Sequence, residues 1–175
     1  MGAATFSWPL TKLLVMIDRS KNRYVDVYTF RGKMLIVSCM GHSMYVKNPE
    51  ANIYLIAKDS SCDDIGKNVR RALAEYMYLD LARAKELLNP AVSGRLFDEW
   101  FEGVREPLNI QQETEFWNEV EYCRITKVGD QLKVCAHKIS KQGRIQFAGE
   151  IELDADVDSS SLGEALLNGF KLCEA

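Results

Sequence analysis

The feature that most constrains this sequence is a weak internal repeat, in which two stretches about 97 residues apart share one pattern. "RGKMLIVSC" (31–39) aligns with "VGDQLKVCA" (128–136), so that glycine, leucine and valine recur at matching positions. "NIYLIAKDSSCDDIGKNVRRAL" (52–73) aligns in the same way with "EIELDADVDSSSLGEALLNGF" (150–170). Because a repeat of this length holds a whole set of secondary-structure elements, we expect the two halves to resemble each other in local structure.

Each half contains the same series of local signals. A pair of hairpin-like strands comes first, followed by an alternating strand, "IYLIA" or "IELDA",. A Ser/Asp-rich stop then precedes a segment with apolar residues at i, i+4 and i+8, which predicts an amphipathic helix. Ser161 with Glu164 fits a helix capping box, and Ser61 with Asp64 is its looser counterpart,. The pattern predicts a β-β-β-α order in both halves.

The repeat also predicts the domain organisation and the fold class. We expect a single domain over 1–175, with halves at about 24–75 and 119–175 and a helical insert at about 76–118,. The predicted fold is α+β: an antiparallel β-sheet built from the two pseudo-repeated halves, with helices packed on it.

The insert contains one segment with a clear apolar face. "SGRLFDEWFEGVREPL" predicts a helix with Ser93 as its cap and Pro107 closing it,. One face of this helix carries four large apolar residues, which we expect to pack in the core: Phe97, Trp100, Phe101 and Val104,.

Composition excludes several classes of function. The sequence is 47% hydrophobic and 27% charged, which is ordinary for a soluble globular protein,. No apolar run approaches the ~18 residues of a membrane span, and no signal-peptide pattern is present, so we expect a cytoplasmic protein. Five cysteines without a C-x-x-C pair and only two histidines favour neither a disulfide framework nor a zinc site,. We expect no cofactor, and we expect structural rather than reactive cysteines.

The stretch "MLIVSCMGHSMY" resembles the strand and turn of a nucleophile elbow, with Ser43 at the nucleophile position,. The elbow needs a glycine at its fifth position, where this sequence has Tyr45, and the following residues predict a loop and a strand instead of a helix,. We therefore predict no catalytic residue. A small serine hydrolase using Ser43 and His137 is kept as an alternative, and so is a non-catalytic ligand-sensing α+β module.

Charge is distributed unevenly along the chain. Residues 1–49 contain seven Lys/Arg and two Asp/Glu, whereas residues 146–175 contain one Lys and seven Asp/Glu. Four of the latter alternate along the last predicted strand and its exit: Glu152, Asp154, Asp156 and Asp158,. The row lacks the glycine and terminal glutamate of a calcium-binding loop, so no metal site is predicted, although the pattern leaves divalent-ion binding open. Such a surface suits a basic partner.

Three segments in the second part of the chain resemble a known family. They are "LFDEWFEGV", "EFWNEVEYCRITKVGDQLKVCAH" and "GEIELDADVDSSSLGEALLNGFKLCEA". In this order they resemble the immunity proteins of bacterial contact-dependent growth inhibition (CDI) systems, in which a strand ending in D-S-S leads into an L-G-x-A-L helix. "DSSCDDIGKNVRRAL" is the related earlier helix, with a more basic sequence. The resemblance covers residues 24–175 and does not include the chain up to Asp18.

The resemblance implies a function in toxin neutralisation. Such a protein binds the C-terminal toxin domain, often a nuclease, of a large secreted or cell-surface effector and blocks its active site or substrate path in the bacterial cytoplasm. It performs no chemistry and does not itself bind nucleic acid, membrane or a small-molecule substrate. Because a nuclease presents a basic groove, acidic residues are the expected toxin-binding residues. The candidates are Glu152, Asp154, Asp156, Asp158, Asp63, Asp64, Asp98, Glu99 and Glu102.

Overall fold

The secondary structure is taken from a computed structural model, which describes residues 22–42, 45–87, 89–140 and 144–174. The strands are Arg23–Phe30 (β1), Lys33–Gly41 (β2), Tyr45–Lys47 (β3), Ile53–Ala57 (β4), Met77–Tyr78 (β5), Glu121–Val128 (β6), Gln131–Ile139 (β7) and Ile145–Asp154 (β8). The helices are Cys62–Ala74 (α1), Leu81–Glu86 (α2), Pro90–Arg105 (α3), Glu113–Glu119 (α4) and Ser159–Glu174 (α5).

The main sheet has the order β4-β2-β1-β6-β7-β8, and all its neighbouring strands are antiparallel. Two short strands pair with the end of β2: β3 is antiparallel to it and β5 is parallel. The two predicted halves meet in the centre, where Val25 of β1 lies opposite Ile125 of β6. The predicted α+β class with an antiparallel sheet is confirmed.

Each face of the sheet has its own hydrophobic core, because successive side chains of a strand point to opposite faces. On one face, α1 and α5 cover aliphatic residues such as Val27, Ile125 and Val134. On the other face, α3 and α4 cover an aromatic core that includes Tyr28, Trp100 and Phe116. The predicted apolar face of the insert helix is confirmed, since Trp100, Phe101 and Val104 are buried and Phe97 packs against them.

The helices α1 and α5 cross in direct backbone contact. A Cβ atom placed on Gly66 would lie 1.9 Å from the Ser159 carbonyl oxygen, and one on Gly163 would lie 1.9 Å from the Cys62 carbonyl oxygen. Only glycine permits this approach at either position. The two glycines are the ones that the repeat aligns, so the first turns of the two helices lie side by side.

Of the three predicted helix caps, the one for α1 is confirmed, and those for α3 and α5 are wrong. Ser61 caps α1 as predicted, since its hydroxyl accepts a hydrogen bond from the Asp64 backbone N–H. In contrast, α5 begins at Ser159, and the Asp158 carboxylate accepts a hydrogen bond of 2.9 Å from the Ser161 N–H. Helix α3 likewise begins earlier than predicted, because Asn89 caps it and Pro90 suits the first turn of a helix,.

The insert is not wholly helical, since it begins with the short strand β5. Each half does contain three long strands followed by a helix, namely β1, β2, β4 and α1 in the first and β6, β7, β8 and α5 in the second. It stays a prediction that this shared order reflects an internal sequence repeat. The division of the domain into two halves and an insert also stays a prediction.

Candidate partner-binding surface

The aromatic face of the sheet is only partly covered. Helices α3 and α4 lie over β1, β2 and β4, whereas part of β6, β7 and β8 on the same face is open. Phe147 and Ile145 of β8 are 64% and 55% exposed, which is high for large apolar side chains. Strand register places three cross-strand rows on this part: Tyr122, His137 and Phe147; Arg124, Cys135 and Glu150; Thr126, Lys133 and Glu152. We call these rows the open face.

A buried carboxylate lies where the open face meets α3 and α4. Asp26 of β1 is 2% exposed, and both its oxygens are hydrogen-bonded. Oδ1 accepts from the Tyr122 hydroxyl at 2.7 Å and from Arg124 Nε at 3.0 Å. Oδ2 accepts from Lys47 Nζ and from the Cys39 thiol. A buried charge requires such partners, because desolvation without them costs several kcal/mol.

The opposite charges in this cluster shift the pKa values of Asp26, Lys47 and Arg124. Burial raises the pKa of Asp26, but the positive charges of Lys47 and Arg124 and the hydrogen bonds outweigh this effect and hold it well below its usual range. Burial lowers the pKa of Lys47 and of Arg124, and the negative charge of Asp26 reverses the effect in both, so that both pKa values are raised. All three groups are therefore charged at neutral pH, and the cluster has a net charge of about +1.

This cluster forms the floor and side of a cleft of about 250 Å³. Asp26 and Tyr28 of β1 and Tyr122 and Arg124 of β6 come from the sheet. The remaining lining residues come from β3, α3, α4 and β8: Tyr45, Val46, Lys47, Ser93, Phe97, Trp117 and Ile145. The rings also contact the cations, since Lys47 Nζ lies 4.8 Å from the Tyr28 ring centroid and the Arg124 guanidinium lies 4.6 Å from that of Tyr45,. We call this space the cleft.

Of the two residues of the alternative hydrolase, the structure describes only His137. Ser43 lies outside the described residues. His137 stacks on Tyr122 with ring centroids 4.9 Å apart, and its Nδ1 atom is buried without a hydrogen-bond partner in the part of the chain that the structure describes. Burial lowers the pKa of His137. A catalytic histidine needs a group that orients its ring, and within the described ranges no carboxylate accepts a hydrogen bond from it.

The structure brings one part of the predicted acidic set together. Asp63 and Asp64 occupy the first turn of α1, and Asp158 precedes α5, so all three lie at the crossing of these two helices. Asp156 lies two residues before Asp158, in the turn that leads from β8 to α5. The crossing therefore carries an acidic surface at the N-terminal ends of two helices, where the helix dipoles stabilise negative charge.

The other predicted acids lie elsewhere. Asp98, Glu99 and Glu102 are exposed on α3, across the sheet from α1 and α5. Glu152 belongs to the open face and pairs with Lys133 of β7. The structure thus separates the predicted set into two surfaces on opposite sides of the sheet, with the β8 residues at its edge.

Most of these acids have partners within the molecule. Ion pairs join Asp63 to Lys67, Glu99 to Arg95 and Glu102 to Arg105, and hydrogen bonds join Asp64 to Ser61 and Asp158 to Ser161. Among the described residues, three of the predicted acids have neither an ion pair nor a side-chain hydrogen bond: Asp98, Asp154 and Asp156. Their charges are available to a partner at no cost of a broken contact.

Sequence reasoning missed the Asp26 cluster. One local signal was available: in "YVDVY" an aspartate alternates with tyrosines on one face of a strand and with valines on the other. A carboxylate among aromatic residues on a strand predicts a buried charge with partners. The partners themselves are 21 and 98 residues away, so no local pattern identifies Lys47 and Arg124.

The structure also describes the cysteines and the other candidate centres. All five cysteines are free thiols, with Cys39 and Cys123 buried and the other three half-buried. In the described ranges, no group of three or more His, Cys, Asp or Glu side chains is placed to hold a metal ion. Over the same residues, none of the helices has both the length and the apolar character needed to cross a membrane.

The architecture is shared with solved structures of known and unknown function. A protein of unknown function from Neisseria meningitidis matches with a TM-score of 0.80 at 14% identity, covering 89% of this chain and 97% of that one. A chain of the CdiA-CT/CdiI toxin and immunity complex from Yersinia pseudotuberculosis matches with a TM-score of 0.76 at 16% identity, covering 87% and 98%. At such low identity these likenesses show the fold. Among curated proteins, none matches the sequence at a significant level.

The fold and the surface define an α+β protein with an open sheet face and no assembled catalytic group among its described residues. The sequence matches the family model of the CDI immunity proteins over residues 23–173. Because this match covers most of the chain, the chain belongs to the CDI immunity protein family. The resemblance predicted from the sequence is confirmed, and the family assignment makes the protein an immunity protein and not an enzyme.

Proposed function

We propose that this immunity protein binds the C-terminal toxin domain of its cognate CDI effector and covers the toxin's active site or the path of its substrate. The family assignment supports this function, as does the likeness of the fold to a chain of a toxin and immunity complex. The observation that carries the surface assignment is a pair of carboxylates without a partner among the described residues: Asp154 at the end of β8 and Asp156 in the turn that leads to the acidic crossing of α1 and α5.

We further propose that the toxin is a nuclease and that the complex forms in the bacterial cytoplasm. A nuclease domain needs a basic groove for its substrate, and an acidic surface is attracted to it over about 10 Å at ordinary salt. Residues 146–175 carry seven acidic residues against one lysine, which gives this end of the molecule the required sign. The acids of α3 form a second surface on the other side of the sheet, the side on which the cleft lies.

The first test is neutralisation itself. The C-terminal domain of the cognate effector, whose gene we expect directly upstream of this one, is expressed in bacteria with and without the immunity protein. We expect the toxin alone to stop growth and the pair to grow, with a complex that forms at or below micromolar concentration. Purified toxin should also degrade DNA or RNA, and one equivalent of the immunity protein should stop the reaction. Continued cell death without complex formation contradicts the proposal.

A charge-reversal experiment tests the acidic surface. We expect Asp154→Lys together with Asp156→Lys to slow association with the toxin domain at least about tenfold at low salt, because steering by opposite charge is lost. The difference from wild type should shrink towards about 1 M salt, where the screening length is about 3 Å. Stopped-flow fluorescence measures both rates.

The matched control for this experiment is Glu106→Lys, which reverses an exposed acid at the end of α3 that is outside the predicted set. We expect the control to associate at the wild-type rate. If the double variant also does so at every salt concentration, Asp154 and Asp156 do not belong to the interface.

A further inference from the structure

The cleft has an unbalanced charge. Its lining contains two cations, Lys47 and Arg124, and a single carboxylate, Asp26. The acceptor sites of Asp26 are already occupied by four donors. A net positive charge therefore remains in a concave space whose other walls are mainly aromatic, and in such a space water screens charge less than on an open surface.

Arg124 is the residue with unused hydrogen-bonding capacity. Its Nε atom donates to Asp26, whereas its two terminal nitrogens have no hydrogen-bond acceptor among the described residues. Its side chain is 27% exposed, against 13% for Lys47, so it reaches the mouth of the cleft. Contacts with the Tyr45 and Tyr122 rings hold the guanidinium in place. A fixed guanidinium with free N–H groups is suited to bidentate binding of a carboxylate.

We propose that the cleft binds a carboxylate side chain, aspartate or glutamate, that the toxin domain presents on an apolar segment; this rests on the toxin-binding function proposed above. The volume of about 250 Å³ suits one side chain better than a metabolite, since small-molecule pockets are about 300–1,000 Å³,. The exposed Ile145 and Phe147 next to the cleft bind the apolar neighbours of the acidic residue. Because the open face extends beyond the cleft, a continuous segment fits it better than a chain terminus does.

The open face also gives this contact a direction. Glu150 lies in the same cross-strand row as Arg124, two strands away, at about 10 Å from it,. Glu152 lies in the next row, and the two glutamates share Lys133 as an ion-pair partner, which leaves a net charge of about −1 at this place,. Asp154 follows Glu152 on β8 and adds a second negative charge. The toxin segment that places a carboxylate on Arg124 therefore places basic residues toward β8, which agrees with the acidic surface proposed above. Opposite charges at two fixed points select one partner and one orientation.

A double-mutant cycle tests this contact in the complex. Affinity for the cognate toxin domain is measured by calorimetry for wild type and for Arg124→Gln, each against toxin variants in which one surface Asp or Glu at a time is changed to Asn or Gln. We expect Arg124→Gln to weaken binding at least about tenfold, and one toxin acid to be coupled to it by a similar factor. Arg71→Gln, an exposed arginine in the last turn of α1 on the other face of the sheet, is the matched control and should bind like wild type.

The outcomes separate the two proposals. If wild type does not bind the toxin domain, the proposed function is wrong. If wild type binds and Arg124→Gln binds within threefold of it, or if no toxin acid is coupled to Arg124, the cleft does not receive a carboxylate. Circular dichroism checks the fold of Arg124→Gln. If Arg124→Gln does not fold, Arg124→Lys takes its place, because it keeps the charge beside Asp26 and loses only the bidentate geometry. We expect Arg124→Lys to lose less affinity for the toxin domain and to be coupled to the same toxin acid.

Discussion

Asp26 is a buried charge at the place where β1, β2, β3 and β6 meet. Four donors from β2, β3 and β6 converge on its carboxylate. Buried ion pairs such as those of Asp26 with Lys47 and Arg124 contribute little net stability when intact, because the attraction between the charges mainly offsets the cost of their desolvation. Removing one member has a large effect, since the remaining charges stay buried without a partner.

We expect Asp26→Asn to lower the free energy of unfolding by about 3–5 kcal/mol, because Lys47 then remains buried with no counter-charge. Chemical denaturation followed by circular dichroism measures the change. Asp98→Asn is the control, since Asp98 is exposed and has no ion pair among the described residues, and it should change stability by less than about 0.5 kcal/mol. Equal effects of the two substitutions contradict the buried-charge interpretation.

The same carboxylate predicts a dependence on pH. Its pKa is lowered by folding, so its contribution to stability is fully present above the unfolded pKa of about 3.9 and is lost as the pH falls below that value,. Between about pH 5 and pH 3, where this loss of stability begins, wild type should therefore lose more stability than Asp26→Asn does,. Parallel stability curves for the two proteins indicate that Asp26 is not ionised in the fold.

At the scale of elements, local sequence predicts helices better than it predicts where they start. The apolar spacing of α1, α3 and α5 is visible in the sequence and agrees with their buried faces. Their starts were predicted correctly only for α1, at Ser61. In α3 and α5, Asn89 and Asp158 cap the helix ahead of the serines that the sequence pattern favoured. All these residue types cap helices well, so local preference alone does not choose among them.

The crossing of α1 and α5 gives a prediction at this scale. We expect Gly66→Ala or Gly163→Ala to destabilise the protein by about 2 kcal/mol or more, because the new Cβ atom overlaps backbone of the other helix and forces the pair apart,. Thermal unfolding measures the loss.

Gly94→Ala is the matched control for the crossing. Gly94 lies in α3, where an added Cβ meets nothing within 4 Å. Alanine there should be neutral or should stabilise the helix by about 0.5–1 kcal/mol, since glycine is a poor helix former. If all three substitutions have the same effect, helix propensity and not close packing explains the two glycines.

At the scale of the whole molecule, family membership predicts that protection does not depend on catalytic groups. We expect the Ser43→Ala variant, which removes the nucleophile of the alternative hydrolase, to protect cells from the toxin as well as wild type does. The measurement is growth of cells that express the toxin domain with each variant, with Asp154→Lys/Asp156→Lys as the variant expected to protect less. Loss of protection in the Ser43→Ala variant, with the fold intact by circular dichroism, contradicts a purely binding function.

The sequence by itself determined the alternation of strands, the helical faces, the α+β class and the resemblance to CDI immunity proteins. These follow from spacings of two to four residues and from short motifs, which act between neighbours in the chain. The tertiary structure alone decided the cluster around Asp26, the cleft with its positive charge, and the division of the acidic residues between two sides of the sheet. Lys47 and Arg124 are brought to Asp26 from strands that are distant in the sequence, so no local pattern contains this contact. Because the three groups are buried together, water screens them little and the attraction between their charges is strong.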